Sequence, residues 1–248
     1  MHRALFCLLL FVAAPAAAQD DPVAAIGREL DGLGRQGGRE SVVRIQARIQ
    51  EGLPPQLLAR AVAALTQIND RNAVGALLEL ASHRRGAVRA QVAEALGRSS
   101  DSRGRTVLAE LLDDPDPRVR SAAAVAIGNV GAQGAMDTVI QAAARGVAEA
   151  AIALGEHAGP ADVPRLLRRL DASTLPALAP ALRVLLGREN LPLRSKQAIV
   201  AALGQLRDPE CERMLREASA SLADADPLRP AIDEALSRIT APPEGSAQ

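Results

Sequence analysis

The residues of this chain best equipped for chemistry are few. They are two cysteines, of which Cys7 lies in the N-terminal apolar stretch, three histidines, a scatter of aspartates and two groups of arginines. Cys211 follows Asp208-Pro209-Glu210 at the start of a helical pattern, and a helix N-terminus can activate a thiol. Glu210 and Glu212 flank it and oppose a thiolate. The expected role is therefore a partly buried small hydrophobe beside Met214 and Leu215. His2, His83 and His157 are far apart, and Glu156-His157 occurs once. A metal centre needs several such donors converging on one point, so no metal ligand is assigned. Asp101, Asp114, Asp116 and Asp208 stand at helix entrances, where capping accounts for them. Acid–base catalysis would need two carboxylates meeting in a pocket. The glycine-rich run 31–38, DGLGRQGG, lacks the G-K-[ST] of a phosphate loop and follows a helix, so it is expected to be a flexible link. Arg165, Arg168 and Arg169 share a helix face opposite Val163, Leu166, Leu167 and Leu170, and Arg84-Arg85 falls in a loop. These five arginines are the candidate partner-binding residues. No catalytic residue and no cofactor is assigned.

The elements that must position them are helices. The clearest is Arg118 to Gly128, RVRSAAAVAIG, preceded by Asp113-Asp114-Pro115-Asp116-Pro117. Pro117 suits a first helical position, with Asp116 as its cap. Val119, Ala122, Ala123, Ala126 and Ile127 follow at helical spacing. Gly128 is expected to end the helix in a left-handed conformation.

Copies of this helix recur. Aligned on the residue expected to stop each copy, they end at Thr66, Gly97, Gly128, Gly155, Gly187, Gly204 and Ser237, at intervals of 31, 31, 27, 32, 17 and 33 residues. Eight positions before the stop, four copies carry a base: Arg89, Arg120, Lys196 and Arg229. That recurrence points to a structural pairing between repeats. Between the copies lie second helices, at 74–81, 107–112, 139–144, 163–170 and 211–218. A near-constant period of paired helices predicts an all-α solenoid, a superhelix of stacked antiparallel helix pairs. The interval of 17 holds only one helix. Either 175–186 is an unpaired insertion or 193–203 is its partner, and Pro176, Pro180 and Pro192 predict a packing irregularity there.

Residues 1–18 have the form of a secretory signal: a short basic start, an apolar stretch from Leu5 to Ala14, and Ala16-Ala17-Ala18 as a cleavage site. The apolar stretch is too short for a stable membrane span. The expected destination is the periplasm or the extracellular space. Residues 19–52 are expected to be capping helices, 53–240 the repeat array and 241–248 a disordered tail. Phe6 and Phe11 are the only aromatic residues in the chain. Once the leader is removed no aromatic remains for stacking on sugars or single-stranded nucleic acid. The formal net charge of +0 gives no basic footprint for nucleic acid. Cys211 is then alone, so no internal disulfide can form.

The pattern carried by Asp116-Pro117-Arg118-Val119-Arg120, Ala123-Ala124 and Ala126-Ile127-Gly128, repeated as Val88-Arg89, Val92-Ala93 and Ala95-Leu96-Gly97, resembles HEAT repeats. Within those it is similar to the short bacterial type of the phycobilisome-lyase group. The resemblance covers roughly 54–239 and implies an interaction scaffold whose second helices line the concave face. It also implies two enzymatic comparisons. Deoxyhypusine hydroxylase holds two irons through His-Glu pairs on several repeats, which two histidines in separate loops cannot reproduce. Bilin lyases attach a tetrapyrrole to cysteine, and nothing in this chain marks a tetrapyrrole pocket. The expected function is a non-catalytic scaffold for a protein or peptide partner, acidic if the arginines are used. An enzyme or accessory subunit of the hydroxylase or lyase group, and a self-assembling envelope component, are the alternatives.

Overall fold

The computed structural model of the chain describes residues 21–130 and 135–241. The leader and nearly all of the expected tail lie outside them. The described residues form fourteen α-helices and no strand: α1 (Pro22–Gln36), α2 (Gly38–Gln50), α3 (Pro55–Ile68), α4 (Arg71–Leu80), α5 (Gly86–Leu96), α6 (Ser102–Leu111), α7 (Pro117–Val130), α8 (Ala135–Ala144), α9 (Ala148–His157), α10 (Val163–Leu167), α11 (Leu175–Gly187), α12 (Leu193–Leu206), α13 (Pro209–Ala220) and α14 (Arg229–Thr240).

Odd-numbered helices pack on odd and even on even, so the helices form two layers. Each helix also packs on its chain neighbour through most of the array. One continuous apolar core runs between the layers from Leu30 to Ala235. Alanine supplies much of it, including fully buried Ala61, Ala93, Ala123, Ala150 and Ala181. Small side chains let helix axes approach toward the short end of the usual 8–10 Å range. Leucines such as Leu65, Leu96, Leu154 and Leu182, all buried, fill the space between the layers.

The helix starts follow the capping chemistry. Asp70, Asp101 and Asp208 accept hydrogen bonds from backbone N–H groups in the first turns of α4, α6 and α13, and the Arg118 N–H donates to Asp116 at 2.9 Å. The helix ends correct the sequence reading. Gly128, Gly155 and Gly204 do not end their helices, which run on to Val130, His157 and Leu206. Gly97 follows α5 in a right-handed conformation. The left-handed positions among the described residues are elsewhere, at Asn69 and Arg207 and at Gly37, Gly38, Gly52 and Gly146. Likewise α1 passes through Gly32 and Gly34 and stops only at Gly37.

The repeated glycines serve close approach instead. A Cβ added at Gly97 would come within 2.6 Å of the Ala126 Cβ on α7. Gly34 lies in the same way against Ala64 of α3, Gly128 against His157 of α9, and Gly155 against Val184 of α11. All four contacts lie in the odd layer. The next one, Gly204 against Ala235, joins α12 to α14 and lies in the even layer. The short interval explains the change. Helix α12 packs against α11 as its partner and against α10 and α14 in the even layer, so 193–203 is the partner and not a further first helix. A motif helix therefore sits in the odd layer as far as α11 and in the even layer at α12 and α14. Pro180, on the exposed side of α11, lies beside this transition.

Candidate partner-binding surface

The loops that lead from even to odd helices form one edge of the array, and arginine organises it. Arg89 on α5 donates from Nε and Nη2 to both carboxylate oxygens of Asp114, each at 2.7 Å, and from Nη1 to the His83 carbonyl at 2.7 Å. Arg120 on α7 repeats this one unit later. It donates to both oxygens of Glu149 at 2.9 and 2.8 Å and to the Asp114 carbonyl at 2.9 Å. Each guanidinium thus ties the loop before its own helix to the next unit. Bidentate geometry of this kind is strong and directional. The Arg89 guanidinium holds the Asp114 carboxyl below its ordinary range, and Arg120 does the same for Glu149. Arg229 instead donates to the Leu222 and Ala223 carbonyls of its own loop. Lys196, the fourth member of the sequence series, has no such partner among the described residues. Asp114 is therefore the anchor of an inter-repeat pair and not a helix cap; only its spacing of 25 residues from Arg89, repeated as 29 between Arg120 and Glu149, could have revealed that.

The predicted arginines separate into two places. Arg165, Arg168 and Arg169 surround a small recess of ≈ 150 Å³ between α8 and α10, together with Asp137, Ile140 and Gln141. Arg165 is committed there: it pairs with Asp162 at 3.2 Å and Asp137 at 3.6 Å. Arg168 reaches the Pro164 carbonyl at 3.4 Å. Arg169 is exposed and its guanidinium has no partner among the described residues. Helix α10 is shorter than the sequence pattern predicts, so Arg168 and Arg169 lie in the turn beyond it. Arg84 and Arg85 lie in the loop before α5. Burial, with the positive charges of Arg85 and Arg84, pushes the His83 imidazole below its ordinary pKa, and its Nδ1 accepts the Arg85 backbone N–H at 3.1 Å.

Cys211 is fully buried. Burial and the neighbouring Asp208 push its thiol up to about 11, the inert role expected of it. His83 and His157 stand on opposite edges of the array, in the α4–α5 loop and at the end of α9.

One feature of this surface is missing from the sequence reading. Helices α5 and α7 leave an open groove of ≈ 590 Å³ on the odd layer, floored by Gly97, Ala122 and Ala126 and bordered by Glu94, Arg98 and Arg118. Beyond it Ile152 on α9 and Val184 on α11 are exposed by 53% and 41%.

A family model described as HEAT repeats matches residues 43–128, 87–149 and 105–186, overlapping segments that span more than half of the chain. The chain is a HEAT-repeat protein. The all-α solenoid expected from its periodicity is its fold. The HEAT repeats also extend the likeness carried by Asp116–Gly128 back to α2, since the first match begins at residue 43. No curated protein matches the chain, and the finer likeness to phycobilisome-lyase repeats rests on the motif alone. Among solved structures, human deoxyhypusine hydroxylase in complex with glycerol is 20% identical, with 88% of this chain and 96% of that chain covered and a TM-score of 0.39. No helix among the described residues of this HEAT protein is long and apolar enough to cross a membrane.

Proposed function

We propose that this HEAT array is a non-catalytic scaffold, exported by residues 1–18, that binds a protein or peptide of acidic character. HEAT repeats generally mediate protein interactions. The observation that carries the acidic character is the division of labour among the arginines. Arg89 and Arg120 are engaged within the fold, whereas the guanidinium groups of Arg84, Arg85 and Arg169 take no partner among the described residues. Unpaired arginines on a rigid surface suit carboxylate recognition. Site-specific photocrosslinking in intact cells tests the reading, with the crosslinker placed beside Arg84 or Arg169. One partner should be recovered reproducibly and lost on charge reversal of Arg84, Arg85 and Arg169. Failure to recover any specific partner, or stoichiometric iron or zinc in the purified protein, would overturn it. N-terminal sequencing of secreted protein should begin after Ala18.

A further inference from the structure

Equivalent positions of the odd-layer helices form a row of wholly or partly exposed side chains, although Val184 also packs against Gly155. Three residues before the aligned residue of each copy (Thr66, Gly97, Gly128, Gly155 and Gly187) stand Ala63 on α3, Glu94 on α5, Val125 on α7, Ile152 on α9 and Val184 on α11. The row is aliphatic over three consecutive helices. Ile152 and Val184 are among the few large apolar residues exposed on the described surface. At 8–10 Å per helix the three span about 20 Å, enough for one short segment of a partner. Beside Val125 the row opens into the groove between α5 and α7. Its floor is glycine and alanine, and its volume leaves room for more than one bulky side chain supplied from outside.

Charge selects the occupant. Arg98 is exposed at one end of the groove and has no partner among the described residues. Arg118 lines it too, and 77% of its side chain is exposed although it pairs with Asp116. The α4–α5 loop lies against the α6–α7 loop, where Gly86 abuts the Asp116 side chain. Arg84 and Arg85 precede this contact in the chain and do not line the groove. Glu94 is the single acidic residue lining the groove. Residues 21–248 contain no aromatic, so the large apolar anchors that dominate interfaces must come from the partner.

Resting on the scaffold reading above, we infer that the odd-layer face of α5, α7, α9 and α11 is the docking surface, and that its occupant is a segment of another protein that combines bulky apolar side chains with carboxylates. The apolar side chains fill the α5–α7 groove and cover Val125, Ile152 and Val184. The carboxylates meet Arg98 and Arg118.

Three fluorescein-labelled twelve-residue peptides test this by anisotropy: one of Glu, Leu and Phe, one with Lys for each Glu, and one with Ser for each Leu and Phe. The first should bind the full chain at least tenfold more tightly than either control. Ile152→Glu should weaken it at least tenfold, with helical content and thermal midpoint unchanged, since Ile152 is half exposed. Arg98→Glu with Arg118→Gln should independently remove the preference for Glu over Lys. If selectivity survives these variants and is lost in Arg168→Glu with Arg169→Glu, the odd-layer site is overturned while a protein-binding scaffold stands. Equal binding of all three peptides also overturns it and leaves the scaffold to the crosslinking test. Concentration-dependent self-association abolished by Ile152→Glu would assign the face to a second copy and overturn the proposal.

Discussion

Asp114 ties two neighbouring units and the start of α7 together. Its carboxylate takes two 2.7 Å hydrogen bonds from Arg89 and one from the Asp116 N–H at 2.8 Å, and its carbonyl receives Arg120. Only 6% of its side chain is exposed. Asp114→Ala should therefore cost about 2–3 kcal/mol, the loss of a nearly buried charge pair that leaves Arg89 uncompensated, measurable by urea denaturation. The same chemistry sets the acid limit. Asp114, Asp116 and Glu149 are held below their ordinary pKa by hydrogen bonds from arginine, and Asp101 is lowered to about 2 by Arg103. Below about pH 4 the unfolded chain binds protons that the folded chain does not. The carboxylate contribution to stability should therefore be flat above that value and fall as the pH drops through the folded pKa values. His83 adds an earlier loss below about pH 6.5, because its folded pKa is also lowered; His83→Asn should remove that step alone. Cys211 should show the reverse of an active thiol. A thiol-specific chromogenic reagent should modify it slowly in native buffer at pH 8 and at once in denaturant, because its thiol is buried and raised to about 11.

At the scale of the helix, two glycines that look alike in sequence should respond oppositely to one methyl group. Gly75 lies inside α4 with nothing within 4 Å of an added Cβ. Gly75→Ala should stabilise by about 0.5–1 kcal/mol through helix propensity and a less flexible unfolded chain. At Gly97 the new Cβ meets Ala126 at 2.6 Å. Gly97→Ala should destabilise by about 1–3 kcal/mol as adjoining helices are forced apart. Thermal melts of the two variants decide it. The contrast also shows what was legible in the residues. Helix positions, the pairing of helices and the inter-repeat role of Arg89 and Arg120 follow from periodicity and recurrence, which are local signals. Gly128 and Gly155 were open to two physical readings, since glycine permits both a left-handed stop and close packing. Only the neighbouring helix distinguishes them. The α5–α7 groove was less legible still, for it is made by the absence of side chains at Gly97, Ala122 and Ala126, three residues that also suit any well-packed helix.

For the whole molecule, the missing aromatics should be visible in a spectrometer. A chain that begins after residue 18 contains no Phe, Tyr or Trp. It should show essentially no absorbance at 280 nm and a strongly helical far-ultraviolet spectrum; a strand-dominated spectrum would contradict fourteen helices. Stability in such an array is a sum of units and the contacts between neighbours, so the transition from α11 to α12 matters beyond its own residues. Before it, the motif helices α3, α5, α7, α9 and α11 belong to the odd layer; after it, α12 and α14 belong to the even layer. The molecule is consequently two-sided. A ligand selective for the outer face of a motif helix would find one platform on the front of the body and another on its back. Two such ligands could be held at once without touching, and a single chain would then act as a bivalent coupler, with no second subunit needed to give it that valency.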